Sequence, residues 1–172
     1  MQQKESPGKE NLEEIYIKYV SAIKAYLLRL SGNPELAKDL TQEVFYRATR
    51  SLIAGKKIDY VSSWLFKIAR NLYLDYVTRN RNQFDTAYDD QLLHPTEHWG
   101  EDPVLHYRQK ELSQEIQNTL SKLPENQRTV LLLRDYHQLS YAEVATVMGL
   151  SISAVKSLLF RARLNFRHNF RD

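Results

Sequence analysis

The chain has no cysteine among its 172 residues. That removes disulfides, thiolate catalysis and the usual structural zinc sites, and it suits a reducing compartment. Glycine and proline are scarce, five of each. With Leu, Ala, Lys, Arg, Glu and Gln plentiful, helix is favoured nearly throughout. No apolar run approaches the ~20 residues that cross a bilayer, and the polar start, Met1 to Asn11, lacks the apolar stretch of an export signal. The expectation is an all-α cytoplasmic protein without direct membrane insertion. No Gly-rich phosphate loop, activated serine or paired-carboxylate pattern is legible, so neither a catalytic residue nor a cofactor is expected.

Net charge is only +3, but it is unevenly spread. Residues 1–82 carry 14 basic and 9 acidic side chains, and 108–172 carry 10 and 6. Residues 83–107 hold six acids, no Lys or Arg, and Pro95 and Pro103. This pattern predicts two small helical domains, 12–82 and 108–172, joined by a flexible acidic linker over 83–107, with a disordered tail over 1–11. His94, Glu97 and His98, with His106 nearby, are usable metal ligands by type. Pro95 disfavours one helix presenting both histidines, and the His-Glu-x-x-His spacing is absent, so no metal site is expected.

In the first domain, Leu12, Ile15, Tyr16, Tyr19, Ile23, Leu27 and Leu30 recur at three- and four-residue steps, one buried helical face. Gly32 can end that helix in the left-handed conformation, Asn33 can cap the next, and Pro34 suits its first turn. The second helix, to about Leu52, hides Leu36, Ala37, Leu40, Val44, Ala48 and Leu52, and Gly55 stops it. Ser62 or Ser63 can cap a third helix with Trp64, Leu65, Ile68, Leu72 and Tyr76 inward. On that stripe Trp64 is a packing residue.

The second domain begins with a helix over Tyr107 to Leu120, followed by one that Pro124 opens and that runs to about Tyr136. Ser140 and Glu143 then spell a capping box. Counting from Tyr141, Ala145 falls where two helices cross closely, Gly149 at the turn, and Val155 and Leu158 on the second helix's inner face, which is helix-turn-helix spacing. Along Ile152 to Phe166, steps of 100° put Val155, Leu158, Leu159, Ala162 and Phe166 inward. Ser153, Lys156, Ser157, Phe160 and Arg167 face outward, flanked by Arg161 and Arg163. Hydroxyls and cations on one face suit a major groove, with residues near the helix start meeting base edges and the later arginines meeting phosphates. Leu164 lands on the same face, and neither role explains it.

Two further segments carry a resemblance. Asp39-Leu40-Thr41-Gln42-Glu43-Val44-Phe45, followed by Trp64-Leu65-Phe66-Lys67-Ile68-Ala69-Arg70-Asn71, resembles region 2 of extracytoplasmic-function sigma factors. Leu123-Pro124 with Arg128, Val130 and Leu131 to Leu133, then the helix-turn-helix and Phe160-Arg161-Ala162-Arg163, is similar to region 4 of that family. The resemblance implies an alternative sigma factor that binds the clamp and flap of core RNA polymerase and recognises the minus-10 and minus-35 elements of promoter DNA. It also implies control by an anti-sigma factor, which can hold such proteins at the membrane.

Residue by residue, the resemblance assigns core-polymerase binding to Asp39, Gln42 and Glu43, which share one exposed helix face. The loop Lys56 to Val61 occupies the place where the family captures a flipped minus-10 base, with Tyr60 as the aromatic contact. Lys56, Lys67, Arg70, Asn71, Arg79 and Arg81 complete that set, and Ser151 joins Ser153, Lys156, Ser157, Phe160, Arg161, Arg163 and Arg167 at the minus-35 element. Many relatives have a longer basic run after the third helix than Arg79-Asn80-Arg81-Asn82, which predicts a weaker phosphate grip there. The rival reading, a helix-turn-helix regulator that binds DNA without polymerase, accounts for the second half alone.

Overall fold

A computed structural model of the chain describes residues 11–80 and 103–171, with side chains over 11–80 and 109–170. The predicted tail, apart from Asn11, and the predicted linker up to residue 102 lie outside the described residues. Seven α-helices and one π-helical turn make up the rest, and no strand occurs among the described residues.

Helix α1 (Leu12–Ser31) begins where a Glu14 carboxylate oxygen accepts the Asn11 N–H at 3.2 Å, and it ends as Gly32 turns left-handed at φ +66°. Helix α2 (Pro34–Ile53) starts on Asn33, whose Oδ1 accepts the Leu36 N–H at 3.0 Å. Pro34 occupies the first turn, where a missing N–H costs nothing. The hairpin therefore forms as its capping residues predict. Helix α3 (Val61–Arg79) starts ahead of both expected caps. Neither Ser62 nor Ser63 caps it; the Ser63 hydroxyl donates back to the Tyr60 carbonyl at 3.4 Å.

Ile23, Leu27 and Leu30 of α1, Val44 and Ala48 of α2, and Leu65 and Ala69 of α3 are withdrawn from solvent. Each large side chain among them contributes about 1.5–3 kcal/mol by leaving water. These helices form the first module.

Helix α4 (Pro103–Ser121) starts four residues ahead of the expected Tyr107, with Pro103 in the position proline tolerates best. Helix α5 (Glu125–Leu131) follows Pro124 and widens into a π-helical turn, Leu132–Tyr136, closed by the His137 N–H on the Leu132 carbonyl at 2.9 Å. The helix predicted over this stretch has the right length, but its last turn is not α. Helices α6 (Tyr141–Met148) and α7 (Ile152–Arg171) complete the second module.

The modules touch. Helix α3 packs on α6, and α1 packs on α4, α5 and the π turn, so the buried side chains form one continuous interior. Arg128 ties the halves together. Its Nε donates to the Leu120 carbonyl (2.9 Å), its Nη2 to Ser121 (3.2 Å) and Leu123 (3.1 Å), and its Nη1 to Leu30 (2.7 Å). One guanidinium thus serves the C-terminal ends of α4 and α1, where unpaired carbonyls and the helix dipole favour a cation.

Burial along α1 and α3 departs from the predicted stripes. Leu12 and Tyr16 are 39% and 50% exposed, while Tyr26, outside the predicted stripe, is fully buried. On α3, Trp64, Ile68 and Tyr76 are only partly covered, and Phe66 and Tyr73 are buried. Tyr26 and Phe66 lie on a second inward face of α1 and α3, turned to the other module, where both rings meet that of His137.

Candidate functional site

The second module places its outward face by local capping. Ser140 Oγ accepts the Glu143 N–H at 3.2 Å and a Glu143 carboxylate oxygen accepts the Ser140 N–H at 2.8 Å, which starts α6. Gly149, at φ +66°, ends it in a conformation few L-residues adopt. The chain then turns by 94° into α7, within the range of helix-turn-helix units. Val155, Leu158, Leu159 and Ala162 are buried, and Phe166 is partly so.

Ser153, Lys156, Ser157, Phe160, Arg161 and Arg167 are all exposed, Phe160 at 65%. Ser151 has a local duty as well, its Oγ accepting the Ala154 N–H at 3.1 Å to start α7. Arg163 is held bidentate by Asp135 (2.9 and 2.6 Å), a hydrogen-bonded pair that raises its pKa further. It is therefore tied to the π turn. Two residues that the sequence pattern did not single out extend the face: the Tyr141 ring has the Lys156 ammonium 5.4 Å and the Arg134 guanidinium 4.7 Å from its centroid. Their signal is an aromatic opening the first helix of the pair, beside cations. Leu164 remains 47% exposed.

On the first module, Tyr60 stands at the entry to α3 and is 74% exposed. Lys56, Lys67, Asn71 and Arg79 are exposed too, with Lys67 and Asn71 one turn apart on α3. Arg70 is separated from them: its side chain is 16% exposed and its Nε lies 3.8 Å from Glu125 Oε1 on α5. Helical rotation turns it toward the other module. Arg81 lies outside the described residues.

Helix α2 presents Asp39 and Gln42 in the open and Glu43 half-exposed. Glu43 Oε1 accepts the Arg47 Nε–H at 2.7 Å. An exposed pair of this kind is worth only about 0.3–0.5 kcal/mol, so it yields readily to a partner. Tyr46, one turn beyond Gln42 and 58% exposed, joins the face.

Between α4, the π turn and α7 lies a groove of about 500 Å³, lined by Ile116, Leu120, Leu131, Phe166 and Phe170 and bordered by Arg163 and Arg167. His94, Glu97 and His98 lie outside the described residues, and among those described no three His, Cys, Asp or Glu side chains could hold a metal ion. No single described helix is long and apolar enough to cross a membrane.

Both halves have counterparts. Residues 15–83 match the family described as Sigma-70 region 2, and residues 113–165 match Sigma-70, region 4. The RNA polymerase sigma factor YlaC of Bacillus subtilis is 30% identical over 94% of this chain and 92% of its own. The ECF RNA polymerase sigma factor SigM of the same species is 34% identical over 88% and 90%. In fold, the chain is similar to the sigma factor RpoE of Bartonella quintana, solved in complex with the anti-sigma factor NepR. That likeness has a TM-score of 0.73 at 22% identity and covers 95% of this chain and 98% of that one.

Proposed function

The chain belongs to the extracytoplasmic-function sigma factors of the sigma-70 family, and from that membership we propose which of its faces meet polymerase and promoter. As a sigma factor it binds core RNA polymerase and directs promoter-specific transcription initiation. We read residues 12–82 as the domain for core polymerase and the minus-10 element, 103–172, which opens on α4, as the domain for the minus-35 element, and 83–102 as their tether. The chain catalyses nothing itself; the chemistry is the polymerase's.

Asp39, Gln42 and Glu43, joined by Tyr46, form the face for the polymerase clamp, where carboxylates meet cations through charge-assisted bonds. The apolar groove beside α7 takes a helix of the polymerase flap, its apolar walls and cationic rim fitting an amphipathic segment. Tyr60 stacks on a minus-10 base drawn out of the duplex, recovering part of the few kcal/mol that unstacking costs. Lys56, Lys67, Asn71, Arg79, Arg81 and, once uncovered, Arg70 track the same strand. Ser151, Ser153, Lys156, Ser157 and Phe160 face minus-35 base edges, with Arg161, Arg163 and Arg167 on phosphates. Relatives in fold were solved with anti-sigma factors, RpoE with NepR and CnrH with the cytosolic domain of CnrY. We extend that to this chain, as a cytoplasmic protein held in check by such an inhibitor.

The observation that carries this reading is the 94° helix pair with an exposed Ser, Lys and Phe face on α7, joined in one chain to the acidic face of α2. Transcription in vitro with core enzyme and a promoter library tests it. Asp39→Arg with Glu43→Arg should abolish core binding while the fold persists. Lys156→Ala with Arg161→Ala should keep core binding and lose minus-35 dependence. Normal core affinity in the first pair would refute the α2 assignment.

A further inference from the structure

The groove beside α7 carries a cation whose needs the groove itself does not meet. Ile116 and Leu120 of α4, Leu131 of α5, and Phe166 and Phe170 of α7 supply apolar walls, and Arg29 joins them from α1. At about 500 Å³ the space falls within the ~300–1,000 Å³ of sites that hold small molecules. Three arginines and one aspartate border it, Arg29, Arg163 and Arg167 against Asp135. Asp135 is already neutralised by Arg163, which holds it bidentate at 2.9 and 2.6 Å. Arg29 has no such partner. Its guanidinium lies 4.8 Å from the Tyr136 ring centroid, its Nη1 is buried without a hydrogen bond, and among the described residues no carboxylate pairs with it. A cation partly withdrawn from water with a bond unmade is relieved best by an anion, through a charge-assisted hydrogen bond.

We propose that the groove binds a small anionic amphiphile from solution, a single alkyl chain ending in a carboxylate, with the headgroup on Arg29 and the chain against Leu120, Phe166 and Phe170. The two phenylalanines, stacked with centroids 5.7 Å apart, form the wall on α7. Each methylene that leaves water against these walls raises affinity roughly fourfold. Arg29 then selects the charge and the walls select the chain. The excess of cations at the rim opposes a positively charged amphiphile of the same length. Because the same walls receive the polymerase flap in the reading above, ligand and flap exclude one another, and the ligand is an inhibitor of core binding. That regulatory half rests on the flap assignment, whereas the binding half rests on Arg29 and the groove alone.

Calorimetric titration of the full-length chain with decanoate, decanol and decyltrimethylammonium, all below their micelle concentrations, tests the binding half. Decanoate should bind one-to-one and saturably, about tenfold tighter than decanol, the lower end of what a hydrogen bond to a charged group contributes. The cationic amphiphile should not saturate. Arg29→Gln should bring decanoate down to the decanol affinity and leave decanol unchanged, with thermal melting to establish that the variant keeps its fold. Phe170→Ala, on the last turn of α7 where folding is least exposed to damage, is the independent variant. It should cut severalfold the affinity gained between hexanoate and decanoate, and it decides alone if Arg29→Gln melts early. Decanol binding as tightly as decanoate, a charge preference retained in Arg29→Gln, a chain-length gain untouched in Phe170→Ala, or no saturable binding at all overturns the inference. Saturating decanoate should also weaken core-polymerase binding severalfold. Decanoate bound at Arg29 with core affinity unchanged sinks the flap assignment and the regulation built on it, while normal core binding without decanoate binding sinks the ligand site and leaves the flap reading standing.

Discussion

The interior of the first module and the seam between modules are both buried, yet different chemistry fills them. Inside the module, Ile23, Leu27, Val44 and Leu65 meet with no polar atom left over, and Thr41, the buried hydroxyl of α2, donates to the Ala37 carbonyl. Along the seam, aromatic rings are interleaved with Arg29, Arg70, Gln117 and His137, and each of these four has a polar atom without a hydrogen bond. A dry interior is stable because it has no better alternative in water. A wet-capable one is held by area and a few bonds and gives some of that back on separation. The comparison teaches that depth of burial does not measure permanence.

The difference can be broken most forcefully from the dry side. Leu27→Ala leaves a cavity in a fully buried site and should destabilise the first module by about 2–5 kcal/mol in a denaturant titration. A loss below ~1 kcal/mol would show that this interior is as yielding as the seam.

Acid should act on the wet side. Burial, with Arg29 adding to it, lowers the His137 pKa from 6.5 to about 4. In the unfolded chain the ring returns toward its ordinary value, so between pH 6.5 and 4 the unfolded form binds more protons than the folded one. The folded form has this stability in full above that window and loses it as pH falls through it. At pH 5 the loss reaches up to about 2 kcal/mol. Denaturant titrations at pH 7 and pH 5 should read this as a lower unfolding free energy at the lower pH. Arg29 and Tyr26 on α1, Arg70 on α3 and Glu125 on α5 share the seam, and His137→Gln separates the imidazole from that carboxylate. An unchanged pH response in that variant would move the effect off His137.

Gln117→Ala sharpens the contrast at smaller scale. It removes the bond to the Arg29 carbonyl together with an unpaired Oε1, and the two nearly offset, so stability in a denaturant titration should fall by less than about 1 kcal/mol. Glu43→Ala sets the floor. Its exposed pair with Arg47 belongs to neither region, and thermal unfolding should register only about 0.3–0.5 kcal/mol; more would show that α2 depends on that pair.

Much of the fold was legible because its punctuation is local. Asn33 before Pro34, Ser140 with Glu143, and Gly149 each fix a helix end from within a few residues. The outward set on α7 came from rotation alone, and the structure leaves it open to solvent. The hidden part is non-local. A periodicity reading gives each helix one buried face, whereas Phe66, Ala69 and Tyr73, at steps of three and four, form a second stripe on α3 that was there to be counted. Arg70 looked like a free cation because nothing nearby in sequence shows Glu125. Arg163 looked open for the same reason, its partner Asp135 lying 28 residues away. The π turn has no residue signature in this chain that distinguishes it from ordinary helix.

That turn has a bearing on how the chain tolerates change. Bonding from His137 back to Leu132 takes in one residue more than an α-helical step, and the ring it delivers is the one that meets Phe66 and Tyr26. Deleting a single residue between Leu132 and Tyr136 would let the segment tighten into plain α-helix and swing the chain beyond it by about 100°. The rings would then lose their mate without any buried side chain having been altered. Spacing in the backbone, more than identity at any one position, is what keys one half of the molecule to the other.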